Sequence, residues 1–86
     1  MNIEHFEDLP DTIKDELLEY ISHSYANGKS KHTAYGLKQH YTSTHKHIDY
    51  HVTSRCFMEA MVHSGYKATP IPDAGEPDWY FEVTVL

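Results

Sequence analysis

Cysteine is almost absent from the sequence: Cys56 stands alone, so no disulfide can form within the chain. Long apolar runs are absent as well, and no stretch approaches the roughly 18 residues that a membrane-spanning helix needs. The segment from Met1 to His5 lacks the basic region and the apolar run of a secretory signal. These absences exclude a disulfide-stapled fold and disfavour secretion and membrane insertion, so we expect a cytoplasmic protein.

Basic residues are also scarce, seven against 13 acidic residues, for a net charge of −6. This balance argues against simple electrostatic capture of DNA by the whole chain. The charges are segregated, however, because residues 27–67 hold six of the seven bases, only two acids and six of the eight histidines. Such asymmetry is typical of an interaction face, and histidine protonation near pH 6 adds to its positive charge. The same clustering also fits an ordinary solvated surface.

Repeats, low-complexity tracts and linkers are absent too. Apolar residues make up 40% of the chain and charged residues 23%, which is ordinary for a globular protein and disfavours a disordered one. A chain of 86 residues can build one hydrophobic core and is too short for two. We therefore predict a single domain over residues 1–86, with residues 1–9 as an N-terminal arm.

The first helix is predicted to start at Pro10 and Asp11, where a missing N–H costs nothing and an acidic side chain complements the helix dipole. Asn27 and Gly28 are expected to end it. Apolar residues recur between them at helical spacing and predict one buried stripe. This stripe consists of Ile13, Leu17, Ile21 and Tyr25.

Thr33 and Thr53 are predicted to cap the next two helices. The helix capped by Thr33 follows a polar connection over residues 28–32 and runs to about residue 44. The helix capped by Thr53 begins with a hydrophobic staple between Val52 and Phe57 and ends at a glycine stop after residue 64.

The C-terminal part of the chain is predicted to form a β-hairpin. Candidate strands over residues 66–71 and 78–85 flank a turn-rich segment, and apolar residues alternate with polar ones in the second strand. Three helices followed by a hairpin predict an α+β, winged-helix-like domain, although the connection over residues 45–52 is longer than the turn of a helix-turn-helix. The predicted core consists of Ile13, Leu17, Ile21, Leu37, Phe57, Met61, Trp79, Phe81 and Val83.

Several short runs carry a resemblance to a known group of proteins. They are Tyr35-Gly36-Leu37-Lys38, Tyr50-His51-Val52-Thr53-Ser54, Ala60-Met61, Gly65-Tyr66-Lys67 and Trp79-Tyr80-Phe81. In order and spacing, these runs resemble short uncharacterised winged-helix-like proteins encoded on phages and other mobile elements of Gram-positive bacteria. The resemblance covers about residues 33–84 and implies a small accessory protein of a mobile element, without implying a particular activity.

The basic central segment is the candidate nucleic-acid site. Nucleic-acid binding needs cations aimed at phosphates and side chains that reach base edges. Aromatic rings beside these cations also suit a single strand, whose bases stack on such rings. The candidate rings are Tyr35, Tyr41, Tyr50 and Tyr66, and the alternative for each is a core ring with its hydroxyl at the surface. The sequence therefore favours a non-catalytic module that binds single- or double-stranded DNA. The candidate residues are Lys29, Lys31, Lys38, Lys46, Ser54, Arg55 and Lys67.

A protein-interaction module is the rival hypothesis. Met58, Glu59 and Val62 lie on the side of the third helix opposite its apolar face, and exposed apolar groups with a polar rim mark partner sites. The hairpin turn is acidic and would repel a duplex. The partner would be a second copy of the chain or another protein. Alternatively, the hairpin or the N-terminal arm folds over these residues.

Catalytic and metal-binding motifs of high specificity are missing. His45, His47 and His51 have a spacing that suits zinc, but no second cysteine or fourth ligand closes the set. Cys56 and His63 resemble a nucleophile and its base, yet no orienting group accompanies them. We therefore predict no enzyme activity, no cofactor and no metal site.

Overall fold

The described residues of the computed structural model, 2–45 and 51–86, form three α-helices and five β-strands. In chain order they are β1 (Asn2–Ile3), α1 (Asp11–Ser24), β2 (Tyr25–Thr33), α2 (Ala34–Thr44), β3 (His51–Val52), α3 (Ser54–His63), β4 (Thr69–Pro70) and β5 (Trp79–Val85). Within this part of the chain, each helix is too short or too polar to cross a membrane. The predicted α+β class, with three helices and a C-terminal strand, is confirmed.

Side-chain and backbone caps set the ends of the later helices, as the sequence predicts. Thr33 Oγ1 accepts a hydrogen bond from the Gly36 N–H (3.0 Å) at the start of α2. Thr53 Oγ1 accepts one from the Cys56 N–H (3.1 Å) at the start of α3. Gly65 ends α3 in the left-handed region, with φ 99°, which glycine adopts without strain.

The end of α1 differs from the prediction. The sequence predicts a helix that continues to Asn27 and Gly28, whereas α1 ends at Ser24 and the chain passes directly into β2. Residues 28–32, predicted as a polar connection, belong to this strand. The reason is tertiary, because β2 pairs with β5 and the pairing satisfies backbone groups that a longer helix would satisfy internally. Tyr25 consequently enters the core from a strand.

A three-residue bulge interrupts β2. Asn27 pairs with Val83 and Lys31 pairs with Glu82, so residues 28–30 are extra on the β2 side. A Cβ atom at Gly28 would lie 2.7 Å from the backbone nitrogen of Thr84. Glycine is required at this position because a side chain would overlap the backbone of β5.

The predicted hairpin is present but short. Thr69 pairs with Tyr80 and Pro70 with Trp79, whereas the sequence predicts a first strand over residues 66–71. Proline cannot donate to a ladder, which limits β4. The strand order in this antiparallel sheet is β2-β5-β4, so β2 completes the sheet on the other side of β5.

One apolar core lies between the helices and β5. Seven of the nine predicted core residues are buried, whereas Ile13 and Trp79 are only partly buried against the core. Val85 is the last apolar residue of the alternating pattern in β5, and it is 55% exposed because it lies at the end of the strand. The predicted residues that are buried are Leu17, Ile21, Leu37, Phe57, Met61, Phe81 and Val83.

The N-terminal arm packs against α3. Ile3 in β1 pairs in parallel with Val52 in β3. Thr53 Oγ1 donates a hydrogen bond to the Ile3 carbonyl (2.8 Å) in addition to capping α3. Ile3 and Leu9 are both buried, so the arm contributes to the core.

Candidate nucleic-acid interface

Three cationic side chains each lie over an aromatic ring around the start of β5. Cation–π contacts of this kind orient the charged group while leaving its charge intact. We call the six residues the cation–aromatic cluster. Its pairs are Lys31 with Tyr80 (5.7 Å from charged group to ring centre), Lys38 with Tyr35 (4.8 Å) and Arg55 with Trp79 (6.0 Å).

Asp78 connects the elements that carry the cluster. Its Oδ1 atom accepts hydrogen bonds from the backbone N–H groups of Tyr35 (3.2 Å) and Trp79 (2.8 Å). The start of α2 is thereby tied to the start of β5. Tyr80 follows Trp79 in β5 and pairs with Thr33 in β2. Because neighbouring residues of a strand point to opposite faces, the cluster wraps around the beginning of β5.

The cluster residues differ in exposure. Tyr35 is 52% exposed, Lys31 and Arg55 are exposed, and Trp79 and Tyr80 are half-buried. Lys38 is only 6% exposed, which corrects the interpretation that groups it with the free lysines. Its stem is covered, so Lys38 cannot reach out to a phosphate as a surface lysine does.

The other predicted bases lie at separate places. Lys29 is exposed in the β2 bulge. Lys67 is exposed after α3 and borders a small groove with Gly28 and Glu82. Ser54 is half-buried beside Arg55 at the start of α3. Lys46 lies outside the described residues. The structure thus places three of the candidate cations over aromatic rings around the start of β5, with Lys31 and Arg55 on opposite faces of that strand.

Acidic groups limit where an anion can approach. Glu82 stands opposite Lys31 in the sheet register and is exposed. Asp78 lies within the cluster, although one of its carboxylate oxygens is engaged by two backbone N–H groups. Asp73 and Glu76 are exposed in the hairpin turn and repel a nucleic-acid backbone there. The base of the hairpin is therefore the more favourable approach.

The predicted partner-binding residues have three different environments. Met58 is partly buried against the core, and Val62 is 48% exposed. Glu59 is already engaged, because Oε1 accepts a hydrogen bond from the Phe6 N–H (2.8 Å) and Oε2 lies 3.1 Å from His5 Nδ1. The N-terminal arm therefore occupies the Glu59 side of α3, which corrects the prediction of Glu59 as a free contact residue.

The tyrosines proposed as stacking platforms are mostly used inside the protein. Tyr41 is buried, its hydroxyl donates to Glu16 Oε1 (3.2 Å), and burial raises its pKa. The Tyr66 hydroxyl donates to the Tyr25 carbonyl (2.9 Å). Tyr50 lies outside the described residues. Tyr35 is therefore the stacking candidate from the sequence that is exposed in this part of the chain.

The residues considered for catalysis and metal binding have other surroundings. Cys56 is fully buried, and burial raises the pKa of its thiol to about 12, which disfavours the nucleophilic thiolate. The ring of His63 contacts the Phe6 ring, with 5.4 Å between the ring centres, and His45 stacks on Tyr41. His47 lies outside the described residues, within which no three metal-ligating side chains come together.

Sequence reasoning missed Trp79 and Tyr80 as candidate surface groups. The alternation of β5 placed Trp79 in the core, and Tyr80 received no role. The consecutive aromatic residues at the start of the strand were the available signal, because one of two neighbours must face away from the core. Their pairing with Arg55 and Lys31 depends on tertiary structure.

Comparisons of the chain with known proteins found no detectable relative. No protein-family model matches the chain, and neither a curated protein nor a solved structure is detectably similar to it.

Proposed function

We propose that this protein is a winged-helix module that binds nucleic acid, and that the cation–aromatic cluster contacts a single strand. The observation that carries the proposal is the set of three cation–π pairs that surround the start of β5. Grooves that bind single strands combine cations for the backbone with rings on which bases stack. Tyr35 supplies the most exposed ring, and Lys31 and Arg55 supply the accessible charges.

The order of the elements supports the winged-helix assignment. The helix α3 precedes the hairpin of β4 and β5, as the recognition helix does in winged-helix proteins. The strand β2, between the first two helices, completes the hairpin sheet. The proposed role as an accessory module of a mobile element rests on the resemblance of residues 33–84.

A single strand is favoured over a duplex by the charges on α3 and the hairpin. In the described part of the chain, Arg55 is the one lysine or arginine on α3, and the same side of this helix carries Met58 and Val62. A helix that reads base edges in the major groove needs more hydrogen-bond donors and more basic side chains than α3 carries. The acidic hairpin turn also repels the duplex backbone. Base stacking, at about 1–3 kcal/mol per base, does not need those contacts.

The test compares a fluorescent single strand of about 15 nucleotides with the matching duplex, by anisotropy at low salt. We expect tighter binding of the single strand than of the duplex. When Lys31 and Arg55 are both changed to Ala, the slope of log K against log salt concentration should become shallower by about 1.4. Lys14→Ala on acidic α1 is the matched control and should leave the slope unchanged. Absence of a complex with either ligand at low salt would refute the proposal.

Protein binding through α3 is the second candidate, favoured by the 48% exposure of Val62. In that case Val62→Ser should abolish self-association or partner retention without a change in thermal unfolding. Mass measurement in solution checks self-association. A monomer that binds single strands equally well with Val62→Ser would support the nucleic-acid proposal instead.

A further inference from the structure

A groove of ≈ 540 Å³ lies between the N-terminal arm, α1 and α3. Phe6 and Glu7 border it from the arm, and side chains of the two helices form the rest of its lining. Within the described residues, this lining includes no member of the cation–aromatic cluster and neither Met58 nor Val62. The groove is therefore separate from the candidate nucleic-acid interface and from the exposed face of α3 considered above.

Two apolar side chains of the groove, Phe6 and Leu18, are partly buried against the core. The Phe6 ring has fixed neighbours, since its centre lies 5.4 Å from that of the His63 ring and 6.0 Å from Lys14 Nζ. The Phe6 backbone N–H also donates its hydrogen bond to Glu59. This apolar surface is thus formed in the free protein, which lowers the cost of ordering it when a partner binds.

Acidic side chains outnumber basic ones in the lining of the groove. Glu7, Asp15 and Glu59 line it, together with one lysine, Lys14. Glu59 already binds the arm through both of its carboxylate oxygens. Glu7 and Asp15 are exposed, and neither side chain forms a hydrogen bond or an ion pair within the described residues. Two carboxylates beside the apolar surface are therefore accessible to a cationic partner.

The surroundings of the groove are acidic as well. Residues 1–26 contain seven acidic residues and one lysine, Lys14. Lys14 is itself engaged, because its Nζ lies 3.9 Å from Asp11 and over the Phe6 ring. A negative potential of this kind attracts cations and repels nucleic acid. The groove is therefore complementary to a cationic partner. The exposed acidic residues of this segment are Glu4, Glu7, Asp8, Asp11, Asp15 and Glu19.

The helical sides of the groove favour a helix as its occupant. Both α1 and α3 use their backbone hydrogen-bonding groups internally, so an added strand would find no ladder to join along them. A helix needs no such groups, because it packs by inserting its side chains between those of its neighbours. Within the described residues, no helix of the chain itself has a basic face, since each carries a single lysine or arginine. These charges favour a different protein over a second copy of the chain.

We propose that this groove binds a basic amphipathic helix of a partner protein. Apolar side chains of that helix contact Phe6 and Leu18, and its lysine and arginine side chains pair with Glu7 and Asp15. Because both carboxylates are exposed, the affinity falls as the salt concentration rises. This interaction does not depend on nucleic-acid binding.

The probe is a fluorescein-labelled peptide of about 14 residues, with leucines at helical spacing on one face and lysine or alanine elsewhere. Its control peptide has glutamate in place of each lysine. In anisotropy titrations at low salt, the lysine peptide should bind with a Kd of about 10–100 μM, at least about tenfold more tightly than the glutamate peptide. The complex should show the circular dichroism of a helical peptide. Equal affinities of the two peptides, a bound peptide that is not helical, or no complex would overturn the proposal.

Charge reversal at exposed positions locates the site. Glu7→Lys combined with Asp15→Lys should weaken binding of the lysine peptide at least about tenfold. Glu76→Lys combined with Glu82→Lys is the matched control, because it changes the net charge equally at exposed residues outside the groove. The control protein should bind the lysine peptide within about threefold of the unaltered protein. Equal losses in the two proteins would show that net charge alone attracts the peptide, and the proposal would be wrong.

Two further measurements test the apolar contact and the choice of partner. The lysine peptide should shift the ¹⁵N amide signals of Phe6, Leu18 and His63, and shifts confined to other parts of the protein would contradict the site. Changing both Lys31 and Arg55 to Ala should leave peptide binding unchanged, which separates it from single-strand binding. The unaltered protein should be a monomer by mass measurement in solution. A dimer that dissociates when Glu7 and Asp15 are reversed would identify a second copy as the occupant and overturn the proposal.

Discussion

Glu59 on α3 and Phe6 in the N-terminal arm are joined by a 2.8 Å hydrogen bond from the Phe6 backbone N–H to Glu59 Oε1. The second carboxylate oxygen lies 3.1 Å from His5 Nδ1. The Phe6 ring also contacts His63, one helical turn after Glu59. The Glu59 carboxylate therefore adds a polar attachment between the arm and α3 to the β1–β3 pairing and the apolar contacts of the arm.

Removal of this carboxylate should loosen the arm. Glu59→Ala eliminates the hydrogen bond to Phe6, and we expect the free energy of unfolding to fall by about 1–2 kcal/mol in urea denaturation. Glu19→Ala is the matched control, because the carboxylate of Glu19 forms an exposed 3.9 Å contact with His23. That variant should stay within about 0.5 kcal/mol of the unaltered protein. Equal losses for the two variants would contradict the role of Glu59.

The same contact predicts a pH dependence. The hydrogen bond to Glu59, and then the charge of that carboxylate, raise the pKa of His5 above its ordinary 6.5. Because the folded pKa is the higher one, this stabilisation is fully present below the unfolded value and is lost as the pH rises through the folded pKa. An NMR titration should show the His5 pKa falling in Glu59→Gln. A His5 pKa that is the same in both proteins would disprove the coupling.

Gly28→Ala should be one of the most damaging single-methyl substitutions in the chain. The added Cβ would meet the Thr84 side chain and also the backbone of β5, with Thr84 N at 2.7 Å and Val83 C at 2.9 Å, so a rotation of the Thr84 side chain would not relieve the overlap. We expect a loss of about 2–4 kcal/mol in thermal or urea unfolding. Gly75→Ala, which has no neighbour within 4 Å, should be nearly neutral. A stable Gly28→Ala protein would show that the bulge is placed incorrectly.

Cys56 should be unreactive in the folded protein. Its thiol is fully buried, and burial raises its pKa to about 12, so the thiolate is scarce and inaccessible. A thiol-reactive disulfide reagent at about pH 8 should label the chain only at the urea concentrations that unfold it. Labelling in native buffer at the rate of free cysteine would be inconsistent with this burial.

Local signals predicted the caps of α2 and α3 well, for a physical reason. A cap depends on groups within three or four residues, so Thr33, Thr53 and Gly65 could be placed from their neighbours alone. The prediction for α1 was wrong at Tyr25, which belongs to β2. At this residue the helical periodicity competes with pairing to β5, a strand that is distant in sequence. The two-residue pairing of β4 also depends on its partner.

The candidate interface was less predictable than the helices. The sequence identified the cations, but it could not distinguish Lys38, whose stem is buried, from Lys29, which is exposed. The pairing of Arg55 with Trp79 requires α3 to lie beside the start of β5. Likewise, the engagement of Glu59 requires the arm to return across α3. Charge composition therefore predicted a basic region and left its geometry open.

The bulge in β2 also affects how the protein avoids aggregation. Since the order of the sheet is β2-β5-β4, the outer side of β2 presents backbone groups that a strand from another molecule could pair with. Residues 28–30 break the regular spacing of those groups, and Lys29 and Lys31 add charge at the same position. A bulge of this kind disfavours a continuous intermolecular ladder along the edge. We therefore expect the glycine that permits the bulge to disfavour edge-to-edge pairing of β2 as well.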